Sequence, residues 1–127
     1  MSMKKILVVE DSRQTQSVLK EILEKEGYTV FSAYDGVEGI RIAKKEIPDL
    51  VLLDLLLPKI SGFDICQKLR EDEKTRRIPI LILSTLAGEK TSYEKLKKYD
   101  VVKLIPKPYT LDDLLFEIKK ILKENEK

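Results

Sequence analysis

Histidine is absent from this chain, and so is tryptophan. The first absence excludes Ser-His and Cys-His nucleophilic sites, His-ligated zinc and any phosphohistidine relay within the chain. A phosphoryl group arriving from a histidine would have to come from another protein. Cys66 is the sole cysteine, so no internal disulfide can form, which agrees with a reducing, cytoplasmic setting. No apolar run approaches the roughly 20 residues of a membrane helix. The run Ile6-Leu7-Val8-Val9, after Met1-Ser2-Met3-Lys4-Lys5, is too short for the apolar part of a secretion signal. An excess of one charge is missing too. The 24 basic and 22 acidic residues are interleaved and leave a net +2, so neither a nucleic-acid nor a membrane surface is expected. The pairs Arg76-Arg77 and Lys97-Lys98 read as solvated faces. With charged residues at 36% and Asn125 the only asparagine, the composition fits a thermophile source or simply well-solvated helices.

What is present is an alternation of strand and helix patterns from end to end. A length of 127 residues implies one domain, with a core over about residues 4–122 and no attached output domain expected. Strands are expected at Lys4–Glu10, Tyr28–Ala33, Leu50–Asp54, Ile80–Ser84 and Val101–Leu104. Helices are expected at about Arg13–Glu26, Val37–Glu46, Phe63–Glu71, Thr91–Lys98 and Leu111–Glu124. Their inward stripes are Val18, Leu19, Ile22 and Leu23 on the first, Ile40, Ala43 and Ile47 on the second, and Ile65, Cys66 and Leu69 on the third. The last buries Leu114, Leu115, Ile118, Ile121 and Leu122. Cys66 is thus a core residue rather than a reactive thiol. Gly27 suits a left-handed helix exit, Asp35-Gly36 reads as a turn, and Thr110 with Asp113 resembles a capping box. Five such units require a doubly wound α/β fold: a five-stranded parallel sheet with helices on both faces.

Four of the strand patterns end in residues suited to phosphate or a divalent cation. Ile6–Val9 runs into Glu10-Asp11, Leu50–Leu53 into Asp54, Ile80–Leu83 into Ser84, and the last strand through Pro106 into Lys107. Ligands of open α/β sheets collect at the carboxyl ends of the strands, where strand order reverses. Three carboxylates gathered there repel by roughly 4 kcal/mol per pair at 4 Å and an effective dielectric near 20. A hard divalent cation answers this: Mg²⁺, with Mn²⁺ also suitable. Asp54, behind four aliphatic residues, can attack phosphorus and become an aspartyl phosphate. Lys107 and the Ser84 hydroxyl can steady the charge that develops during transfer. Each residue alone would read as a cap, an exposed lysine or a strand-end hydroxyl. The set points to a site.

These residues give the chain its resemblance to the receiver domains of two-component response regulators, a resemblance covering Lys4 to about Leu122. It is carried by Ile6-Leu7-Val8-Val9-Glu10-Asp11, Val51-Leu52-Leu53-Asp54-Leu55-Leu56-Leu57-Pro58, Gly62-Phe63, Pro79-Ile80-Leu81-Ile82-Leu83-Ser84 and Lys107-Pro108-Tyr109. The resemblance implies a flavodoxin-like strand order 2-1-3-4-5. It makes Asp54 the phosphoacceptor, Asp11 a direct Mg²⁺ ligand and Glu10 a ligand acting through water, with Leu56 offering its main-chain carbonyl. Ser84 becomes the switch hydroxyl and Lys107 the phosphate-pairing lysine, with a cis Lys107-Pro108 peptide. The implied donor is a sensor histidine kinase or a histidine phosphotransfer protein. The chain would act as a stand-alone monomer or weak dimer, a switch rather than an enzyme, with output through a separate protein target.

Three positions depart from the family pattern. Leu104 replaces an aromatic residue three before Lys107, Thr85 is larger than the small residue that usually follows the switch hydroxyl, and Asp100 stands where glycine often ends the fourth helix. Leu104 leaves open a second reading, a receiver acting only as an interaction module. A metal-dependent phosphatase using an aspartyl nucleophile would commonly carry a second Asp at position 56, where this chain has leucine. Flavin binding would need a hydroxyl-rich loop where Glu10-Asp11 stands.

Overall fold

The computed structural model describes residues 3–55, 57, 60–84, 94, 96–101 and 103–124. The elements are β1 (Lys5–Val9), α1 (Arg13–Lys25), β2 (Thr29–Ala33), α2 (Gly36–Glu46), β3 (Leu50–Asp54), α3 (Gly62–Glu71), β4 (Ile80–Ser84), β5 (Lys103–Pro106) and α4 (Leu111–Glu124). Of the helix expected at Thr91–Lys98, Glu94, Leu96 and Lys97 are helical; Thr91, Ser92, Tyr93 and Lys95 lie outside the described residues. All strand pairings are parallel, in the order β2-β1-β3-β4-β5. The sheet is thus the expected five-stranded one.

The central strands are apolar throughout because alternate residues feed two different cores. Leu7, Val9, Val51 and Leu53 face α2 and α3, joining Ala43, Ile65 and Cys66. Ile6, Val8, Leu50 and Leu52 face α1 and α4, joining Leu19, Leu23, Leu114 and Ile118. All five residues of β3 are buried, so the strand that ends in Asp54 is held on both faces.

Local sequence sets where each helix begins. Ser12, Asp35 and Ser61 are N-caps whose side chains accept the N–H of Thr15, Glu38 and Asp64 respectively. Asp35-Gly36 is therefore a helix start rather than a free turn. Thr110 Oγ1 accepts the Asp113 N–H at 3.0 Å and caps α4 as expected. Gly27 (φ 96) and Asp100 (φ 57) take the left-handed conformation that each is suited to.

Three expectations change. Val18 is 43% exposed, and the buried face of α1 instead runs through Gln16, Leu19 and Leu23. Ile47, at 42% exposed, leaves the helical path with φ 47 and ends α2 instead of packing inward. The fifth strand begins at Lys103, two residues later than expected, and runs on through Pro106. Pro106 is tolerated there because β5 is an edge strand and one side of its ladder needs no donor.

Candidate functional site

Sheet register brings the polar strand ends together. Val9 pairs with Leu53, so Glu10 comes level with Asp54 one residue on. Ser84 pairs with Pro106, so Lys107 follows directly beyond the Ser84 main chain. The chain leaves β1 for β2 on one side, while β3 lies on the other, so order reverses between β1 and β3. The crevice at that reversal is where an open α/β sheet binds its ligand.

Glu10, Asp11 and Asp54 each offer a carboxylate oxygen to one cluster, all within 4.8 Å of one another. Glu10 and Asp54 are buried and Asp11 is exposed. The Lys107 ammonium donates to Asp54 Oδ2 at 3.0 Å and lies 3.5 Å from Glu10 Oε1. The Lys107-Pro108 peptide is cis. Glu10 Oε2 accepts the Ser12 N–H at 2.9 Å, which fixes the carboxylate against the start of α1.

These neighbours shift the titrations in opposite senses. Burial raises the Glu10 carboxyl above its ordinary value, helped by Asp11 and Asp54, while the Ser12 N–H and Lys107 pull it down. Burial alone would lower the Lys107 ammonium, but the hydrogen bond and charge of Asp54, with Glu10 behind it, outweigh burial and raise it. Burial also raises the phenol of half-buried Tyr109, against the pull of Lys107.

The donor set is all oxygen and carries two more negative charges than Lys107 neutralises. It suits a hard divalent cation such as Mg²⁺. A carboxylate and an ammonium within hydrogen-bond reach of each other can also act together on a phosphoryl group, the carboxylate at phosphorus and the ammonium at its oxygens.

Of the residues singled out in the sequence, Glu10, Asp11, Asp54 and Lys107 meet here. Ser84 closes β4 at the same edge, and its side chain lies outside the described atoms. Leu56 and Thr85 lie outside the described residues. Leu104 is partly buried against the α2–α3 core. One residue escaped the sequence reading. Gln16 is 1% exposed and its amide reaches the end of β1 from beneath. Its signal was its spacing from Leu19 and Leu23 on one helical face, which a polar side chain disguised.

Comparison with known proteins agrees with this geometry. The family model described as response regulator receiver domain matches residues 6–119. The DNA-binding dual master transcriptional regulator RpaA of Synechocystis is 34% identical over 127 residues, covering 98% of this chain and 52% of RpaA. The chain spans about half the length of the curated relatives it matches. Among solved structures, chemotaxis protein CheY4 of Vibrio cholerae superposes with TM-score 0.88 at 27% identity, covering 94% of this chain and 99% of CheY4. The receiver domain of sensor histidine kinase PA1611 from Pseudomonas aeruginosa, solved with a magnesium ion in its active-site cleft, gives 0.84 at 27% identity, covering 96% of this chain and 99% of that one. With the sheet order, the acidic cluster and the family match in agreement, the chain belongs to the response regulator receiver domains of two-component systems.

Proposed function

We propose that Asp54 accepts a phosphoryl group from a histidine of a partner kinase or phosphotransfer protein, with Mg²⁺ bound by the acidic cluster. The family takes phosphate from histidine kinases. The observation that carries the residue assignment is the Lys107 ammonium 3.0 Å from Asp54, inside a cluster of three carboxylates. An Asp54 carboxylate oxygen attacks phosphorus, the O–P bond forms as the N–P bond breaks, and the electron pair leaves with the partner's imidazole. Lys107 follows the charge from the carboxylate onto the phosphoryl oxygens, and the Ser84 hydroxyl donates to one of them. Asp11 and Asp54, with the Leu56 carbonyl, would ligate Mg²⁺ directly and Glu10 through water. The ion would supply charge neutralisation for the transferring group; Mn²⁺ fits the same oxygens. The magnesium ion reported in the PA1611 receiver supports this ligand class.

Phosphorylation then changes a protein-binding surface rather than turning over a substrate. Output through a protein target, with no contact between this domain's surface and nucleic acid or membrane, completes the proposal. Among the described residues no helix is long and apolar enough to cross a membrane. RpaA is itself DNA-binding, so the nucleic-acid part concerns only this chain's own balanced surface. Incubation with a small phosphodonor and Mg²⁺, followed by intact mass, tests the assignment. The wild type should gain one phosphoryl group and Asp54→Asn none, while the variant keeps its fold. Equal labelling of Asp54→Asn at another residue would overturn it.

A further inference from the structure

Past Val9 and Ala33 the β1–β2 ladder ends with Glu10 N–H donating to Ala33 O, and one side chain gathers the carbonyls around that edge. Gln16 Nε2 lies 2.9 Å from the Val8 carbonyl, 3.1 Å from the Glu10 carbonyl and 2.8 Å from the Ala33 carbonyl. Three acceptors around that atom fix which end of the amide is nitrogen, because a reversed amide would set oxygen against oxygen. Gln16 Oε1 finds no partner among the described residues, so the nitrogen alone holds the side chain.

Glu10 is consequently pinned at every polar atom. Its N–H donates to Ala33 O at 3.0 Å, its carbonyl accepts from Gln16, and its carboxylate accepts from Ser12 N–H. The peptide joining Glu10 to Asp11 cannot rotate without breaking the Gln16 bond. That peptide sets where both carboxylates point. Mutual repulsion within the cluster would turn them apart if it were released.

We propose that Gln16 is a positioning residue for the acidic site, holding Glu10 and Asp11 toward Asp54 and so setting the affinity for a divalent cation. The proposal rests on the receiver reading above. Groups behind a ligand that fix its direction commonly change metal affinity by about 10–100-fold when removed. Gln16→Met keeps length and volume but removes the donor.

The experiment titrates Mn²⁺ into metal-free protein and follows the free ion by electron paramagnetic resonance, with thermal midpoints measured in parallel. Thr75→Val is the control. Thr75 is fully buried and donates to Leu69 O at 2.7 Å, ahead of β4 at the far end of the sheet. Both variants should lose stability, but only Gln16→Met should bind Mn²⁺ about tenfold or more weakly. Its phosphorylation by a small donor should recover at saturating Mg²⁺, since Asp54 and Lys107 are untouched. Wild-type affinity in Gln16→Met overturns the proposal, as does equal weakening in Thr75→Val at matched midpoint loss. If Gln16→Met does not fold, the wild type decides. Its Gln16 side-chain NH₂ resonances should shift with Mg²⁺ along the binding curve, and static resonances overturn the proposal. A wild type that binds no cation removes the cation-assisted phosphotransfer proposed above and this proposal together. A wild type that binds, with Gln16 indifferent, removes this proposal alone.

Discussion

Glu10 and Cys66 show opposite uses of burial. Glu10 keeps its carboxylate beside Lys107 and Ser12, yet burial holds its pKa above 4.5. A carboxyl with a higher pKa folded than unfolded binds its proton more tightly when folded. Its contribution to stability is full below 4.5 and is lost as pH rises through the raised value. Metal-free wild type should therefore lose stability relative to Glu10→Gln as pH climbs from about 4 to about 7. Parallel midpoint curves for the two proteins across that range would contradict this. Cys66 is fully buried, and burial pushes its thiol up to about 12. At pH 8 roughly one molecule in ten thousand carries the reactive thiolate. Native protein should resist iodoacetamide and react at once in denaturant, as mass spectrometry would read; rapid alkylation of the folded chain would refute the core placement. Cys66 was legible because Ile65 and Leu69 share its helical face. Gln16 was not, because a polar residue earns a core position only through carbonyls supplied by β1 and β2, which the chain order does not display. Val18 misled for a related reason. It is apolar and adjacent to Leu19, but one residue turns the helix by about 100°, which carries it off the face that packs.

At the scale of elements, the loop from β3 into α3 decides how firmly Asp54 is held. Gly62 N–H donates to Leu55 O at 3.1 Å, and Leu55 is the residue after Asp54. A Cβ on Gly62 would stand 2.7 Å from Leu55 Cα and 3.2 Å from Leu55 O. Alanine is worth about 1 kcal/mol over glycine inside a helix, but no rotamer change relieves a clash with main chain. Gly62→Ala should therefore destabilise by about 1–3 kcal/mol, by denaturant midpoint, and slow phosphorylation of Asp54 by a small donor. A variant as stable and as fast as the wild type would show that the loop yields freely. The elements themselves were largely readable. β3 announces itself by unbroken aliphatic residues, and α4 by Thr110 and its regular stripe. Their ends were less so. Ile47 continues the spacing of Ile40 and Ala43, yet α2 stops there through a left-handed residue ahead of Pro48, and the side chain swings outward. β5 was placed early because Val101 and Val102 look more strand-like than Lys103. Pairing with β4 overrides that preference: Leu81 takes Lys103 and Ser84 takes Pro106.

On the scale of the whole molecule, charge is nearly balanced, at +2 over 127 residues, while one crevice gathers three carboxylates beside the Lys107 ammonium. The fold sustains this local excess because β1 and β3, which carry it, are buried on both faces and cannot splay apart. Folding free energy is thus stored as repulsion at the site, and whatever neutralises that repulsion stabilises the whole domain. Sequence made the members of the cluster visible as strand endings; only the register, Val9 beside Leu53 and Ser84 beside Pro106, brings the carboxylates within 4.8 Å of one another and Asp54 to 3.0 Å from Lys107. Two consequences follow for one measurement. Mg²⁺ at about 100 times its Kd should add about 2.7 kcal/mol to the native state, which for a chain of this length raises the thermal midpoint by roughly 10 °C. Asp11→Asn removes one charge of the cluster, so its metal-free midpoint should lie above the wild type's and respond little to Mg²⁺. If Mg²⁺ leaves the wild-type midpoint unchanged at concentrations that support phosphorylation, or raises that of Asp11→Asn equally, the carboxylates are not acting as one cation site.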